Sequence, residues 1–492
     1  MELAGLLKKV DYKQIQGASI NGVCVSGIAY DSRKVQEGSL FVCISGAVSD
    51  GHAFAKDAVS KGAVVIVTEK PVDVPEYVIV LETKDSRVAL AELSAAYFGY
   101  PANELSVIGI TGTKGKTTAT YMMRSVLEAS GIKTGLIGTI ETIISDGDII
   151  PSQNTTPESY IIQETFRKMA DAGCKCVVME VSSQGLKLHR TDGFIFDYGI
   201  FTNLAPDHIG PAEHKDLAEY IYCKSLLFRQ CKHGIFNIDD SHVSEILKGH
   251  TCDVETYGFS DSADLVASGV EFSGKGGMLG VKYHLSGLAE MDVEISIPGK
   301  FSVYNSMIAV AVCRRFGISS DIILKSLLNV HVKGRTELLD VSPKFTVMID
   351  YAHNAMSLKS LLETLKEYNP KRLVCLFGCG GNRSRERRFE MGEVSSALAD
   401  LTVITSDNPR NEDPVAITND IETGVKKAGG QYITIINRPD AIRYVIENAM
   451  EGDVIVLAGK GHEDYQEIKG KKYHMDEREL VADVVRDGNF IK

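Results

Sequence analysis

The feature that most limits what this chain can fold into is a glycine-rich loop near residue 112. Residues 105–110 are mostly apolar, as in a buried strand, and residues 117–130 repeat apolar positions at helical spacing. A loop at this junction presents backbone N–H groups and the positive end of a helix to an anion. Lys116 adds a positive charge, and Thr117 adds a hydroxyl that suits Mg²⁺. The sequence therefore predicts a cradle for ATP phosphates formed by Gly112, Thr113, Lys114, Gly115, Lys116, Thr117 and Thr118.

The loop departs by one position from the pattern GxxxxGK[ST], because Ile110 stands where the first glycine would be. The alternative is a glycine turn that only joins a strand to a helix. Such a turn has no need of the charge of Lys116 or of the hydroxyls of Thr117 and Thr118. We therefore interpret the loop as a variant phosphate-binding loop.

Length and composition favour a large globular protein. The chain has 492 residues, which suggests about three domains at roughly 150 residues each. Its apolar fraction is 44%, and because it has no apolar run of about 18 residues, a membrane span is not expected. The amino terminus lacks the basic and then apolar order of a secretory signal. These features predict a cytoplasmic protein.

Charge and cysteine content narrow the classes of partner. The formal net charge is −12, and no cluster of Lys and Arg is interleaved with aromatic residues, which argues against nucleic acid as a partner. The ten cysteines are mostly scattered, and their spacing is typical of neither a zinc knuckle nor a disulfide framework. The phosphates that the loop binds should therefore belong to a small molecule.

The hydrophobic pattern divides the chain into three α/β segments. Residues 1–102 contain short strands and two helical patterns. Residues 103–333 alternate strands with helices, which implies a mostly parallel, doubly wound sheet. Within them, residues 264–296 alternate β-type residues around a glycine turn and predict an antiparallel insertion or edge. From 334 to 492 the βα alternation restarts and predicts a third domain with its own sheet.

Polar residues gather directly after four strands of the third segment. Ligands of parallel sheets bind at the carboxyl ends of the strands. The sequence therefore predicts a site on the rim formed by Asp350–Asn354, Gly378–Arg383, Ser406–Arg410 and Ala458–Asp464. In the first segment, Asp31-Ser32-Arg33 and Ser49–His52 are weaker signals, and a capped turn is the favoured interpretation of both.

Two side chains downstream of the glycine loop, Glu180 and His208, are candidates for holding a divalent cation. Glu180 ends an apolar strand, and His208 follows the next strand. Hard cations near phosphates take oxygen or imidazole ligands. From spacing alone, a loop histidine with a local hydrogen bond remains an alternative for His208. A solvated helix lysine is the simpler interpretation of Lys224.

Seven short runs together resemble the Mur ligases over essentially the whole chain. They are Thr111–Thr117, Asn154–Pro157, Met179–Ser183, Tyr304-Asn305, Gly334–Glu337, Asp350–His353 and Gly459–Asp464. Within that family, the chain resembles the members that add a third residue to UDP-N-acetylmuramoyl-L-alanyl-D-glutamate, a cytoplasmic peptidoglycan precursor. The resemblance implies three α/β domains: a small UDP-binding domain at 1–102, a central P-loop ATPase domain with a parallel sheet at 103–333, and a C-terminal Rossmann-like, amino-acid-binding domain at 334–492.

The reaction implied by the resemblance is ATP-dependent amide formation. ATP phosphorylates the free carboxylate of the nucleotide-linked peptide, and the amine of the incoming amino acid attacks the acyl phosphate. The products are the amide, ADP and phosphate. Mg²⁺ and a cationic lysine would neutralise the transferred phosphoryl group.

The resemblance also implies the residues of the ATP and metal sites. The catalytic residues would be Lys116, Lys224, His208 and Glu180. The Mg²⁺ ligands would come from Thr117, Glu180, His208 and Lys224. The last of these is implied to be carbamylated by CO₂, which would make it an anionic ligand and reverse the solvated interpretation. Beyond the glycine loop, the nucleotide would be held by Asn305, Arg335 and Asp350.

Two further sets of residues follow from the same resemblance. Contacts with the UDP-muramoyl dipeptide are implied for Ser32, Thr155, Thr156, Ser182 and Arg190. The incoming amino acid is implied to meet Arg383, Asp407, Asn408, Pro409, Arg410, Gly459 and Glu463.

The run Asp407–Arg410 is typical of family members that add meso-diaminopimelate. This amino acid has a second head with a carboxylate, which the planar guanidinium of Arg410 can hold with two hydrogen bonds. Glu463 suits the distal ammonium of the same head. L-Lysine, the alternative acceptor, has no such carboxylate, so meso-diaminopimelate is the favoured substrate.

Three departures from the family pattern affect individual contacts and leave the reaction class unchanged. Gly210 stands two places after the metal-site histidine, where the family usually has Asp. Asn354-Ala355 replaces a usual Pro-Asp pair after His353. Leu188 replaces a more usual Gln in the substrate loop.

Two other functions remain open from the sequence. A folylpolyglutamate synthase shares the central and C-terminal folds but lacks a UDP-type first domain, so residues 1–102 and the run Asp407–Arg410 discriminate against it. An ATP-binding regulatory protein that has lost catalysis is disfavoured by the intact set Lys116, Glu180, His208 and Lys224. The favoured prediction is a monomeric ligase whose partners are small molecules.

Overall fold

A computed structural model describes residues 1–46, 49–207, 209–210 and 213–488, without the side chain of Lys275. The predicted metal ligand His208 lies outside the described residues. The chain forms two compact units. One consists of Met1–Asp264 with Ile308–Ile318, and the other of Leu265–Met307 with Ser319–Lys492.

The first unit begins with a small sheet in the order β1-β5-β4-β3-β2, in which only β1 runs antiparallel to its neighbour. Its elements are α1 (Leu3–Leu6), β1 (Lys13–Gln16), β2 (Ile28–Ala29), β3 (Leu40–Val42), α2 (Ala55–Ser60), β4 (Val65–Thr68), β5 (Ile79–Glu82) and α3 (Ser86–Tyr97). The two predicted helical patterns correspond to α2 and α3. Asp85 starts α3, because its carboxylate accepts hydrogen bonds from the N–H groups of Arg87 and Val88.

The rest of the first unit is built on eight neighbouring strands in the order β13-β12-β11-β6-β10-β7-β8-β9. The elements are β6 (Ser106–Thr111), α4 (Lys116–Ala129), β7 (Thr134–Ile137), β8 (Glu141–Ser145), β9 (Asp148–Pro151), α5 (Ser159–Asp171), β10 (Cys176–Glu180), α6 (Ser183–Lys187), β11 (Phe196–Phe201), α7 (Leu217–Ser225), β12 (Cys231–Asn237), α8 (Val243–Ile246) and β13 (Asp253–Gly258). Six strands are parallel, and β8 and β9 form an antiparallel edge. The predicted doubly wound sheet is therefore confirmed.

The order of these strands places the glycine loop at the centre of the sheet. β6 lies between β10 and β11, so the chain winds to one side of β6 first and to the other side afterwards. A crevice for ligands opens at the carboxyl ends of the strands where the winding reverses. The loop that follows β6 lies at that point.

The second unit starts with three antiparallel strands and two helices. They are β14 (Leu265–Lys275), β15 (Met278–Gly287), β16 (Met291–Ile295), α9 (Lys300–Cys313), of which the residues to Met307 belong to this unit, and α10 (Ser320–Leu328). β14 pairs with β15 and β15 with β16. The predicted antiparallel segment with a glycine turn is confirmed.

The remainder of the second unit is a six-stranded sheet in the order β17-β18-β22-β19-β20-β21, with β17 antiparallel. Its elements and a small hairpin are β17 (Glu337–Ser342), β18 (Phe345–Asp350), α11 (Ala355–Lys366), β19 (Arg372–Phe377), α12 (Glu386–Leu398), β20 (Leu401–Ile404), α13 (Pro414–Ala428), β21 (Tyr432–Thr434), α14 (Arg438–Glu447), β22 (Asp453–Ala458), β23 (Tyr465–Ile468), β24 (Lys471–His474) and α15 (Glu477–Asp487). Alternate residues of β18 enter separate apolar clusters, with Met348 in one and Val347 and Ile349 in the other. The sheet is thus covered on both faces, which parallel strands require.

The four loops that were predicted to share a rim do so. β18, β22, β19 and β20 are consecutive parallel neighbours, so the loops after them open at one edge of the sheet. Among the residues described above, no helix combines the length and apolar character that a membrane crossing requires.

Candidate functional site

The glycine loop is fixed by its own backbone and by the end of the neighbouring strand β11. α4 begins directly after Gly115, whose φ is 87°. Gly112 has φ 147°, and a Cβ there would lie 1.9 Å from the Thr202 hydroxyl oxygen, so only glycine fits. The Lys114 N–H donates to Asn203 Oδ1 at 3.0 Å. These contacts hold the loop in one conformation before any ligand binds.

Two lysine side chains converge on the carbonyl oxygen of Gly112. Lys116 Nζ donates to this oxygen at 2.8 Å and to the Thr113 carbonyl at 3.1 Å. Lys224 Nζ, from α7, donates to the same Gly112 oxygen at 2.9 Å and lies 4.4 Å from the centre of the Tyr220 ring. The fold therefore brings two predicted catalytic residues together at the loop.

Lys224 is buried, with 1% of its surface exposed. Burial lowers the pKa of its amine well below the ordinary value, and the nearby charge of Lys116 lowers this pKa further. The solvated helix lysine that the spacing favoured is wrong, because Lys224 lies on the buried face of α7 together with Tyr220 and Cys223.

Glu180 lies beside the start of α4, at the end of β10, and is 1% exposed. Its Oε1 accepts hydrogen bonds from the Thr117 hydroxyl at 3.0 Å and from the Thr139 N–H at 2.8 Å. Its Oε2 accepts from the Thr139 hydroxyl at 3.0 Å. A buried carboxylate beside two hydroxyl groups is an oxygen donor set that fits a hard divalent cation.

A metal cluster is not preformed by acidic and imidazole groups alone. Within residues 1–46, 49–207, 209–210 and 213–488, no group of three or more His, Cys, Asp or Glu side chains is arranged to hold a metal ion. The nearby histidine that is described, His214, is buried and bonds its Nε2 to the Ser183 hydroxyl at 2.9 Å. Burial lowers the pKa of His214 below its ordinary value.

A polar network continues from Glu180 through the residues predicted to hold the muramoyl dipeptide. The Thr155 and Thr139 hydroxyls lie 3.0 Å apart. The Thr156 hydroxyl donates to the Glu180 carbonyl oxygen at 3.0 Å and accepts from the Ser182 N–H at 2.9 Å. The Ser182 hydroxyl in turn accepts from the Gly185 N–H and caps α6. The structure thus places Thr155, Thr156 and Ser182 in one network with the metal candidate.

Arg190 reaches the same network from the turn that follows α6. Its Nη1 donates to the Thr156 carbonyl at 2.9 Å, and its Nη2 lies 2.8 Å from Glu158 Oε1. Arg87 of α3 contacts the other oxygen of Glu158 at 3.2 Å. Glu158 therefore connects α3, through Arg87, with Arg190 and the other residues that are predicted to hold the dipeptide.

Ser32 lies at the other end of the first unit. Asp31 caps a short 3-10 helix at Ser32–Lys34 by accepting from the Arg33 N–H at 3.0 Å. Asp50 caps Gly51–Phe54 in the same way. The capped turns that the sequence favoured are confirmed at both positions. Ser32 is buried, and no contact joins it to Thr156 or Arg190 among the described residues.

In the second unit, Asp350 ends β18 and is held by backbone donors. Its carboxylate accepts from the Thr336 N–H at 2.7 Å and from the Ala352 N–H at 2.8 Å. Burial raises the pKa of Asp350, and the charge of Arg335 opposes that rise. The Arg335 guanidinium lies 4.6 Å from the centre of the Tyr351 ring. Asp350 and Arg335 are thus brought together, and Asn305 is buried on α9.

The loop Asp407–Arg410 meets the loop that follows β22. A Cβ on Gly459 would lie 3.0 Å from Asp407 Oδ2, so the two loops approach closely at this glycine. Asn408 Nδ2 donates to Glu463 Oε2 at 2.8 Å. Five of the predicted amino-acid-binding residues, Asp407 to Arg410 and Gly459, therefore lie together with Glu463.

Arg410 is held in an unusual backbone conformation. Its φ is 51°, in the left-handed region that residues with a Cβ rarely adopt. Its Nη1 donates to the Gly381 carbonyl at 2.7 Å, and its Nε lies 3.2 Å from Glu467 Oε2. Within the part of the chain that the structure describes, its Nη2 makes no hydrogen bond. Arg383, from the same loop as Gly381, is exposed.

Sequence reasoning missed several residues that complete these sites. Thr139 supplies two of the hydrogen bonds to Glu180, and Asn203 fixes the glycine loop. Glu158 joins Arg190 to Arg87. Thr139 and Asn203 stand just beyond the ends of β7 and β11, so a polar residue beyond a parallel strand is the signal that would have found them. Glu158 comes directly after the run Asn154–Pro157, so its position next to a motif is its signal.

Comparison with known proteins agrees with this geometry. Models of the Mur ligase family match in three places: the catalytic domain at residues 24–98, the middle domain at residues 110–313 and the glutamate ligase domain at residues 334–461. Together with the relatives described next, these matches show the class: the chain belongs to the Mur ligase family.

The chain is similar to curated relatives over its full length. It is 42% identical over 492 residues to a UDP-N-acetylmuramoyl-L-alanyl-D-glutamate--2,6-diaminopimelate ligase of Caldanaerobacter subterraneus subsp. tengcongensis, covering 99% of both proteins. It is 40% identical to the ligase of that name from Clostridium perfringens, with 99% of each covered. A solved structure of a ligase of that name superposes with a TM-score of 0.71 at 27% identity, covering 96% of both chains.

Proposed function

We propose that this chain is an ATP-dependent ligase that joins meso-2,6-diaminopimelate to the D-glutamate carboxylate of UDP-N-acetylmuramoyl-L-alanyl-D-glutamate. The observation that carries the proposal is the meeting of Asp407–Arg410 with Gly459 and Glu463 in a chain whose first unit holds a phosphate loop. Relatives with this substrate pair in their names cover the whole chain, including residues 1–102. That coverage favours it over a folylpolyglutamate synthase, which lacks such a first domain.

The first step is transfer of the terminal phosphoryl group of ATP to the peptide carboxylate. A carboxylate oxygen attacks the γ-phosphorus, the bond to the ADP oxygen breaks, and an acyl phosphate forms. Lys116, at the start of α4, and the loop N–H groups would stabilise the charge on the transferred group. Glycine loop residues Gly112 to Thr118 would hold the phosphates, and Asn305, Arg335 and Asp350 the rest of the nucleotide.

The second step forms the amide. The amine nitrogen of diaminopimelate attacks the acyl carbon, phosphate leaves with the oxygen that bridged carbon and phosphorus, and the nitrogen loses a proton. Ser32, Thr155, Thr156, Ser182 and Arg190 would hold the UDP-muramoyl dipeptide. Arg383, Asp407, Asn408, Pro409, Arg410, Gly459 and Glu463 would hold the amino acid.

A divalent cation fits the carboxylate and hydroxyls around Glu180. We include Mg²⁺ in the proposal, with Thr117, Glu180, His208 and a carbamate on Lys224 as its ligands. When bound, the ion would supply positive charge to the phosphates. The burial of Lys224 supports the carbamate, because burial lowers the pKa of the amine, and the neutral form of an amine is the one that adds to CO₂ with release of one proton. The buried site would exclude the water that hydrolyses carbamates.

The biological setting follows from the substrates. A ligase for this nucleotide-linked peptide would work in the cytoplasm on small molecules, without nucleic acid or membrane as a partner, and as a monomer of three domains bounded near residues 102 and 333. Its product would be a peptidoglycan precursor with a tripeptide.

The experiment that tests the proposal is phosphate release from ATP and Mg²⁺ with the UDP-muramoyl dipeptide and one of two amino acids. Release is expected with meso-diaminopimelate and not with L-lysine, and only when all substrates are present. Release with L-lysine alone would overturn the interpretation of Arg410 and keep the ligase. The absence of phosphate release with both amino acids would contradict the ligase and favour the folylpolyglutamate synthase or the non-catalytic alternative.

A further inference from the structure

We infer that Lys460 is a positioning residue that sets the specificity of the amino-acid pocket, an inference that rests on the proposed function. Lys460 comes just after Gly459 at the end of β22 and is fully buried. Burying an ammonium group is unfavourable unless its N–H groups are bonded. Nothing in the phosphoryl chemistry proposed above uses this charge, so its burial calls for another explanation.

The three N–H groups of the Lys460 ammonium find three acceptors. They are Asn408 Oδ1 at 3.0 Å, Glu463 Oε2 at 2.8 Å and the carbonyl oxygen of Tyr465. An ammonium group has three donors and no acceptor, so this set is complete. Two of the three acceptors belong to residues of the proposed pocket, and they come from two different loops.

The first consequence concerns the orientation of the Asn408 amide. Its Oδ1 accepts from Lys460 and from the Glu467 N–H at 2.8 Å. With the oxygen fixed in this way, the Nδ2 group must point to the opposite side, where it donates to Glu463 Oε2 at 2.8 Å. A flipped amide would set N–H groups against the Lys460 donor. Lys460 and the Glu467 N–H therefore select together one of the two amide orientations.

The second consequence concerns Glu463. Its Oε2 takes the hydrogen bonds from both Lys460 and Asn408, whereas its Oε1 accepts none from the described part of the chain. The side chain is 17% exposed. One carboxylate oxygen is thus fixed by the protein, whereas the other has no hydrogen-bond donor in the described part of the chain, which suits an ammonium group of the substrate. A single charge behind the pocket therefore aims two side chains at the distal head of the amino acid.

The test is the steady-state kinetics of Lys460→Met, which keeps most of the unbranched side chain and removes the charge and donors. Loss of a hydrogen bond to a charged group corresponds to about 10- to 100-fold. We expect the KM for meso-diaminopimelate to rise by that factor. We expect kcat to change less than the KM, and the KM for ATP to stay unchanged.

The control is Asp453→Asn. Asp453 is 1% exposed and pairs with Arg372, at the amino ends of β22 and β19, opposite the rim that carries the pocket. The Asp453→Asn substitution removes a buried charge from the same sheet as β22. It should lower the melting temperature without raising the KM for diaminopimelate. An equal rise in KM in this variant would overturn the inference, because a general loss of stability would then explain both.

A double-mutant comparison separates positioning from a direct contact. In a Glu463→Gln background, Lys460→Met should raise the KM by much less than it does in the wild type, since it acts through Glu463. Fully additive effects would overturn the inference. Lys460→Gln retains two N–H donors and serves if Lys460→Met does not fold. If neither Lys460→Met nor Lys460→Gln folds, the inference is also overturned, because Lys460 would then support the fold of the domain and not the pocket.

Different measurements test the positioning role of Lys460 and the proposed function of the protein. Turnover of wild-type protein with meso-diaminopimelate tests the proposed function. If the wild type uses a different amino acid, the same KM comparison is made with that amino acid. An unchanged KM in folded Lys460→Met contradicts the positioning role in either case.

Discussion

Lys224 is buried beside the glycine loop, and its substitution tests the proposed carbamate. Lys224→Ala should lower kcat by about 100-fold or more, since it would remove a charged group beside the phosphates. A short carboxylic acid such as acetate should restore part of the activity, because it supplies the missing carboxylate. The measurement is phosphate release with and without acetate.

The control for this variant is Lys215→Ala, which removes an exposed lysine just before the same helix. It should leave kcat unchanged. If neither acetate nor added CO₂ changes the rate of any Lys224 variant, the carbamate is wrong and the buried amine has another role.

Arg410 provides the residue-scale test of the acceptor. Arg410→Lys keeps the charge and loses the planar pair of N–H groups, so the KM for meso-diaminopimelate should rise by about 10-fold or more. Arg410→Ala should raise it further, with the KM for ATP unchanged. Arg486→Ala, at a guanidinium that is 75% exposed, is the control. An unchanged KM in both Arg410 variants would remove this residue from the pocket.

His462 is expected to make the folding stability of the protein depend on pH. Burial, together with the charge of Arg335, lowers the pKa of His462 from 6.5 to about 4. Below pH 6.5 His462 therefore binds a proton in the unfolded chain but much less in the folded chain. The free energy of unfolding falls as the pH decreases from 6.5 towards 4.

His462→Gln removes this proton uptake. Between pH 7 and pH 5 the variant should lose about 1–2 kcal/mol less unfolding free energy than the wild type. Urea unfolding at the two pH values measures the difference. Equal losses in the two proteins would show that His462 takes up its proton equally well in the folded state.

At the scale of elements, the rim of the second unit depends on close packing between loops. A Cβ on Gly381 would lie 2.0 Å from the Pro409 carbonyl oxygen, so Gly381→Ala must displace the Asp407–Arg410 loop. The KM for meso-diaminopimelate should rise by about 10-fold, since the loop carries the proposed ligands. Steady-state kinetics measures it.

Gly5→Ala is the matched control, because nothing lies within 4 Å of a Cβ at that position. It should leave both KM values unchanged. A Gly381→Ala protein with wild-type KM would show that the loop tolerates displacement and that its geometry does not set affinity.

The elements show how far the sequence predicts this molecule. The glycine loop, its strand and its helix follow from local pattern, and the structure has them at β6 and α4. The four-loop rim was also predicted, because every parallel strand ends at the same edge. The position of β22 between β18 and β19 was not, since strand order depends on packing between segments more than 70 residues apart.

The limits at single residues have a different cause. A lysine on a helix has the same local pattern whether it is solvated or buried, so Lys224 was misjudged from spacing and corrected only by the resemblance. Lys460 belongs to a motif and was given no role, because one of its acceptors, Asn408, lies on a different loop that is distant in the sequence. Contacts of this kind are properties of the fold and leave no periodic signal.

At the scale of the whole molecule, the two compact units do not coincide with consecutive stretches of chain. The antiparallel strands β14–β16 belong with the carboxyl-terminal sheet. Tyr368, after α11, donates its hydroxyl to the Gly280 carbonyl at 3.0 Å and accepts from the Gly299 N–H at 2.9 Å. One hydroxyl thus bridges two segments of the second unit.

Tyr368→Phe should lower the unfolding free energy of the second unit by about 1–2 kcal/mol, because both partners lose a hydrogen bond in a partly buried place. Tyr77→Phe, at a side chain that is 75% exposed in the first unit, should have no effect. Denaturant unfolding of both variants makes the comparison. Equal stabilities would mean that the bridge is not maintained in solution.

The central claim is that the carboxylate of the nucleotide-linked peptide is activated as an acyl phosphate. The most direct measurement uses dipeptide substrate with ¹⁸O in both oxygens of the D-glutamate carboxylate that receives the amine, and mass analysis of the phosphate released. The account predicts that one ¹⁸O atom appears in each phosphate and that the other stays in the amide. Phosphate without ¹⁸O would contradict it, because ATP would then be hydrolysed without passing through the peptide carboxylate.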